Sequence, residues 1–97
     1  MRIEFKDKGL KADYEKPGGL EKKYGNRRAE LIRLRIQTLK SIDRIDQLWS
    51  LPGHFHPLRE DRSGEWACSL EQPYRLIFRY VPNNRVIIIE IVDYHKK

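Results

Sequence analysis

The chain has 97 residues and a formal net charge of +6 at pH 7, from 20 Lys plus Arg against 14 Asp plus Glu. This length predicts a single small domain over residues 1–97, and a composition of 39% hydrophobic and 35% charged residues supplies one modest core. These values exclude a large multidomain enzyme and leave no material for an enclosed cofactor cavity.

The surplus of positive charge lies in one segment. Residues 22–44 contain eight basic and two acidic side chains, whereas the rest of the chain has twelve of each sign. A basic segment of this kind indicates a polyanionic partner, although charge runs are often only solvent-exposed faces. The residues predicted to contact RNA or the ribosome are Lys22, Lys23, Arg27, Arg28, Arg33, Arg35 and Lys40, together with Arg79 from the second half of the chain.

Cysteine content and apolar runs indicate where the protein resides. Cys68 is the only cysteine, which excludes an internal disulfide framework and fits a reducing compartment. The first ten residues lack the apolar stretch of a signal peptide, and runs such as 86–89 are too short to span a bilayer. We expect a cytoplasmic protein without membrane association.

The first half of the chain predicts a short strand followed by helices. Residues 2–6 alternate polar and apolar side chains, as a strand at or near a sheet edge does. Asp7 is placed to cap a helix of about two turns that ends at Pro17, and residues 20–24 add another helical turn.

A main helix is predicted over residues 27–40, with Asn26 as its N-cap. Its apolar residues form one stripe of Ala29, Ile32, Ile36 and Leu39 and a second of Leu31 and Leu34. Two stripes predict burial against two neighbours. Ser41 is placed to cap a last short helix over 42–48.

The second half predicts strands joined by short turns, over 54–59, 65–71, 74–80 and 85–92. Alternation places Arg75 and Arg79 on the face opposite the aromatic side chains of their strand. The last strand is almost uninterruptedly apolar, as expected of a central strand covered on both sides. The predicted class is α+β, with an antiparallel or mixed sheet of four to five strands and two to three helices packed on one face.

Four short segments read together resemble a known family. They are His56-Pro57-Leu58-Arg59, Gly64-Glu65-Trp66, Tyr74-Arg75-Leu76-Ile77-Phe78 and Asp93-Tyr94-His95. In this order and spacing they resemble the HigB-type toxins of the RelE/ParE superfamily, toxin-antitoxin proteins that cut messenger RNA on the ribosome. The likeness spans nearly the whole chain.

The resemblance implies a RelE-like fold and an endoribonuclease that needs neither metal nor cofactor. In such a reaction the ribose 2′-hydroxyl attacks the adjacent phosphate, which requires a base, an acid and cations. The catalytic positions carried over are His56, Arg59, Arg75, Asp93, Tyr94 and His95. The implied partners are the ribosome, mRNA and a HigA-like helix-turn-helix antitoxin, with DNA reached only through the antitoxin complex.

The main departure from the family is Arg59, because these toxins usually have Lys there. Arginine holds a phosphate well but transfers protons poorly, so we expect Arg59 to act electrostatically and leave proton transfer to His56 and His95. Which histidine is acid and which is base stays open. Glu60 follows where relatives often have Gly, and this carboxylate would weaken the local field.

Three alternatives remain at this point. A non-enzymatic toxin of the ParE kind would inhibit a topoisomerase by binding, but that branch tends to lack the terminal Asp-Tyr-His cluster. A degenerate toxin would only bind RNA. His54, His56 and His95 together would suit a metal ion, but the usual closed ligand set is missing from the sequence.

Overall fold

A five-stranded mixed sheet carries the helices of the chain on one face. The computed structural model describes residues 1–94. The α-helices are α1 (Lys8–Glu15), α2 (Gly19–Tyr24) and α3 (Asn26–Ser41). The strands are β1 (Arg2–Phe5), β2 (His56–Pro57), β3 (Glu65–Ser69), β4 (Tyr74–Val81) and β5 (Arg85–Asp93), and 3-10 helices cover Ile45–Ser50 and Glu60–Arg62.

The strand order in the sheet is β1-β5-β4-β3-β2, with β1 parallel to β5 and the other pairs antiparallel. The core lies between this sheet and the helices. Ile32 and Ile36 of α3 are buried in one cluster with Phe78 of β4 and Ile88 of β5. The predicted α+β class, with helices packed on one face of a mixed sheet, is confirmed.

Local sequence signals explain most helix boundaries. The Asp7 carboxylate accepts hydrogen bonds from the backbone N–H groups of Gly9 and Leu10, as predicted for the N-cap of α1. Gly18, at φ 75°, takes the left-handed conformation that lets the chain turn from α1 into α2. No helix within residues 1–94 is long and apolar enough to cross a membrane.

Two predictions around α3 are wrong. Its N-cap is Gly25 rather than Asn26, which is already helical. Leu31 is buried, but Leu34 is 51% exposed, because no element within residues 1–94 covers that side of the helix. The second apolar stripe therefore has one buried member.

The short helix predicted over 42–48 is present only in part, as a 3-10 helix over Ile45–Ser50. Ser41 ends α3, and Ile42 turns into extended backbone with its side chain buried. A 3-10 helix begins only at Ile45, because Oε1 of Gln47 accepts hydrogen bonds from the N–H groups of Asp43 and Arg44 at 2.7 and 2.9 Å.

The strands follow the predicted order with two corrections. The strand predicted over 54–59 shrinks to β2, because His54 has a positive φ of 53° and the backbone turns into a 3-10 helix after Arg59. β5 lies inside the sheet, but the helices cover only one of its faces. On its other face Ile87 and Ile89 line a surface groove of about 480 Å³.

A β-bulge in β5 changes which side chains reach the uncovered face. Phe78 pairs with Ile88, but Ile77 pairs with Glu90, so the bulge leaves Ile89 without a partner in the register. The alternation of β5 therefore reverses after Ile89, and Val92 falls on the same face as Glu90.

Candidate active site on the open sheet face

The open face is the side of the sheet on which no α-helix of residues 1–94 packs. Across it runs a row of residues directly opposite one another, in the order His56, Ala67, Ile77 and Glu90. Ala67 and Ile77 are buried and form an apolar floor between the two polar ends. In the neighbouring row Arg75 lies between Ser69 and Val92, so strand spacing puts its Cα roughly 12 Å from that of His56.

One ring nitrogen of His56 is hydrogen-bonded to the backbone. Its Nδ1 lies 2.7 Å from the carbonyl oxygen of His54. A carbonyl oxygen only accepts hydrogen bonds, so this contact requires the proton on Nδ1. The neutral ring then presents Nε2, with its lone pair, as the nitrogen available for chemistry.

The segment that supplies this carbonyl is held against β3. The Gly53 carbonyl accepts a hydrogen bond from Ser69 N at 2.8 Å, and Arg35 Nε donates to the Ser69 carbonyl at 2.7 Å. Gly53 has φ 123°, and a Cβ there would lie 2.8 Å from a ring carbon of Phe55 and 3.1 Å from Arg35 Nε. This position therefore requires glycine.

Arg75 and Tyr94 come together at the end of β5. The guanidinium carbon of Arg75 lies 5.3 Å from the centroid of the Tyr94 ring, within cation–π distance, and Nη1 donates to the Tyr74 carbonyl at 3.0 Å. Tyr94 N donates to the Pro73 carbonyl at 3.2 Å. A phenol and a guanidinium group are thus presented side by side, with Tyr94 38% exposed.

Arg28 anchors the turn that holds Tyr94. Its guanidinium carbon lies 3.4 Å from the Tyr74 ring centroid, and Nε donates to Glu71 at 3.1 Å. Only 19% of its side chain is exposed. Arg28 therefore packs α3 against the β3–β4 turn, a role that the sequence analysis missed.

The other predicted catalytic residues differ in placement. Asp93 lies opposite Tyr74 in register, on the other face of β5 from Val92. Arg59 is exposed at the start of the second 3-10 helix, and no hydrogen bond or ion pair joins its side chain to any residue within 1–94. His95 lies outside the described residues.

An ion-pair network that the sequence analysis did not identify crosses the open face. Arg62 donates to Glu65 and to Glu90, both at 2.7 Å, and Arg79 donates to the second oxygen of Glu65 at 3.3 Å. Burial acts to raise the pKa of Glu65, but these guanidinium hydrogen bonds outweigh it and lower the pKa. The one sequence signal was Glu90, an isolated acid in an apolar strand.

The predicted RNA-contacting residues divide into two groups. Arg28, Arg33 and Arg35 bind within the protein, and Arg33 pairs with Glu21 and lowers the pKa of that carboxyl through its hydrogen bond. Lys22, Lys23, Arg27 and Lys40 are exposed, although Lys23 pairs with Asp13, Arg27 with Glu30 and Lys40 with the Tyr14 hydroxyl. Arg79 of β4 is also exposed and pairs with Glu65. These five exposed residues remain predicted RNA contacts.

The described residues offer no cluster of metal-binding side chains. No three His, Cys, Asp or Glu side chains in that part of the chain form a group that could hold a metal ion. The only described cysteine, Cys68, is buried in the core, and burial raises its pKa to about 12.

Comparison with known proteins assigns the family. The family model for the RelE-like toxin of type II toxin-antitoxin system HigB matches residues 3–95. The chain belongs to the HigB-like toxin family. The resemblance stated from the four sequence segments is therefore confirmed.

Relatives of this HigB-like chain support the same assignment. It is 31% identical over 91 residues to Endoribonuclease HigB of Proteus vulgaris, and the match covers 94% of the chain and 96% of that protein. A YoeB/ParE toxin from Agrobacterium tumefaciens has TM-score 0.68 at 21% identity, covering 94% of this chain and 95% of that one. The YoeB-YefM complex from Staphylococcus aureus gives TM-score 0.62 at 22% identity, covering 94% and 93%. The two structures support the RelE-like fold.

Proposed function

We propose that this HigB-like toxin is an endoribonuclease that cuts mRNA in the ribosome and thereby inhibits translation. The observation that carries the proposal is the shared open face of His56, Arg75 and Tyr94, next to an apolar floor. The relative named Endoribonuclease HigB, similar over 94% of the chain, supports the reaction class. The proposed partner in the cell is a HigA-like helix-turn-helix antitoxin.

The proposed reaction is internal transesterification of RNA without a metal ion. Nε2 of His56 takes the proton of the 2′-hydroxyl, whose oxygen bonds to the adjacent phosphorus. The bond from phosphorus to the 5′-oxygen breaks, and His95 supplies the proton for this leaving group. The products are a 2′,3′-cyclic phosphate and a 5′-hydroxyl.

The cationic groups would stabilise the charge that develops on the phosphorane. Arg75 is aligned by its contact with the Tyr94 ring and by its hydrogen bond to the Tyr74 carbonyl. Arg59 adds a second guanidinium from the loop after β2. A guanidinium held by such contacts, as that of Arg75 is, stabilises a transition state more than a flexible one, because it need not reorganise during the reaction. Tyr94 offers a ring on which a base can stack.

Brief induction in cells tests the reaction class. If the proposal is correct, mapping of mRNA 5′ ends shows new cuts within translated codons, and these disappear with His95→Ala. Intact mRNA together with accumulating DNA breaks would instead indicate a topoisomerase inhibitor and refute the nuclease. A purified toxin that cuts free mRNA as fast as ribosome-bound mRNA would refute ribosome dependence.

A sulfur-substituted RNA distinguishes acid from base. When the leaving 5′-oxygen is replaced by sulfur, departure no longer needs a proton donor. We expect this substrate to restore cleavage by His95→Ala but not by His56→Asn. Restoration of His56→Asn alone would reverse the two roles.

A further inference from the structure

Arg62 ties the loop that carries Arg59 to the middle of the sheet. Its Nε donates to Glu65 of β3 and its Nη2 to Glu90 of β5, both at 2.7 Å, so one guanidinium spans the intervening strand β4. The Arg62 side chain is 38% exposed. Two charge-assisted hydrogen bonds from one planar guanidinium to two carboxylates nevertheless fix its orientation.

The two carboxylates anchor the loop beside the proposed active site. Glu90 ends the row of directly opposed residues that begins with His56. The backbone of Arg62 is joined to Arg59, because Arg62 N donates to the Arg59 carbonyl at 3.3 Å. Arg59 thus precedes one turn of 3-10 helix that ends at Arg62, and Arg62 holds that turn over the open face.

The rest of the loop offers few other restraints. Leu58 N donates to the Glu65 carbonyl at 2.7 Å, but Arg59, Glu60 and Asp61 are exposed. Glu60 has φ 59°, a left-handed conformation that a residue other than glycine keeps only when its surroundings enforce it. The Arg62 bridge is the side-chain contact within residues 58–64 that reaches across the sheet.

We propose that Arg62 is a positioning residue, whose bridge to Glu65 and Glu90 holds the Arg59 guanidinium where it can meet the scissile phosphate. The inference rests on the proposed nuclease function. A lysine ammonium is a compact point charge without the planar fork, so it would not hold Glu65 and Glu90 in the same geometry. Arg85 provides a matched control, because its guanidinium also donates to a carboxylate, that of Glu4 at 3.2 Å, but it does not belong to the loop.

Single-turnover cleavage of mRNA in programmed ribosomes, at saturating toxin, tests this role. The variants are Arg62→Gln, Arg62→Lys and Arg85→Gln, each made in the wild-type background and with Arg59→Ala. We expect Arg62→Gln and Arg62→Lys to slow cleavage at least tenfold, with ribosome binding unchanged, and Arg85→Gln to slow it less than twofold. With Arg59→Ala in place, the Arg62 changes should cost less than twofold more.

Equal losses in both backgrounds would mean that Arg62 acts independently of Arg59, and the inference would be overturned. It would also be overturned if Arg85→Gln slowed cleavage as much as Arg62→Gln. Arg62→Lys keeps the charge and long stem, so it tests the fork geometry if Arg62→Gln fails to fold. Wild-type protein that does not cut mRNA at all would instead overturn the proposed function itself.

Discussion

Replacement of Gly53 by alanine should destabilise the protein by more than a backbone effect. At φ 123° a residue with a Cβ is strained, which costs about 1–3 kcal/mol. The new Cβ would also lie 2.8 Å from the buried Phe55 ring and 3.1 Å from Arg35 Nε, an overpacking that costs about 1–3 kcal/mol. Alanine also restricts the backbone of the unfolded chain, which stabilises the folded state by about 0.4–1 kcal/mol and offsets part of this loss.

The middle of these ranges gives a net loss of about 3 kcal/mol for Gly53→Ala, which for a domain of this size lowers Tm by about 12–24 °C. Gly64→Ala is the matched control, because Gly64 also has a positive φ of 94° but an added Cβ would have no atom within 4 Å. It should lose only about 1–2 kcal/mol. Equilibrium urea unfolding, followed by tryptophan fluorescence, compares the two variants.

The same substitution should impair cleavage, because Gly53 precedes the carbonyl that fixes the His56 ring. If Gly53→Ala is no less stable than Gly64→Ala, the proposed crowding around Phe55 and Arg35 is wrong. If it is less stable but cleaves RNA at the wild-type rate, the link between this loop and the His56 ring is wrong.

Three further predictions concern a thiol, a carboxylate and the basic surface. Cys68 should resist alkylation at pH 8 in the folded protein and react rapidly in denaturant, since burial raises its pKa to about 12; stoichiometric labelling of folded protein would contradict this. Guanidinium hydrogen bonds outweigh burial and lower the pKa of Glu65 in the folded protein. The ionised Glu65 carboxylate therefore stabilises the fold at a pH above its ordinary pKa, and this stabilisation is lost as the pH falls through the lowered pKa. With Glu65→Gln, the free energy of unfolding should depend less on pH in this acidic range, and an unchanged dependence would argue against the network. Changing Lys22 and Arg27 together to Gln should reduce the slope of log ribosome affinity against log salt concentration by roughly 2. Lys11→Gln is the control, because Lys11 lies outside residues 22–44. An unchanged slope would mean that Lys22 and Arg27 face solvent and do not contact the ribosome.

The parts of the fold that depend on local patterns were predicted well. The Asp7 cap of α1 was predicted because the carboxylate accepts hydrogen bonds from N–H groups only two and three residues further along the chain. Leu34, by contrast, belongs to an apolar stripe whose burial depends on a neighbouring element, and no element within residues 1–94 lies there. The late start of the first 3-10 helix depends on the Gln47 side chain, whose hydrogen bonds to the N–H groups of Asp43 and Arg44 have no simple periodic signature.

The candidate site was predicted in part. Alternation within β4 correctly placed Arg75 on the face away from the core, but the reversal at Ile89 comes from a bulge that the apolar run of β5 conceals. Arg28 and Arg35 were counted with the basic surface, yet their partners lie 43 and 34 residues further along the chain. Such contacts depend on tertiary structure and cannot be read from the spacing of charges.

The central claim is that His56 takes part in cutting ribosome-bound mRNA, and one comparison of neighbouring histidines tests it most directly. His56→Asn keeps a side-chain N–H that can donate to the His54 carbonyl but removes Nε2, whereas His54→Asn makes the same exchange in a residue whose left-handed backbone asparagine tolerates. In single-turnover cleavage with programmed ribosomes, His54→Asn should cut near the wild-type rate and leave 2′,3′-cyclic phosphate ends, while His56→Asn should be roughly 100-fold slower or more. Equal rates for the two variants, or products with other ends, would contradict the account.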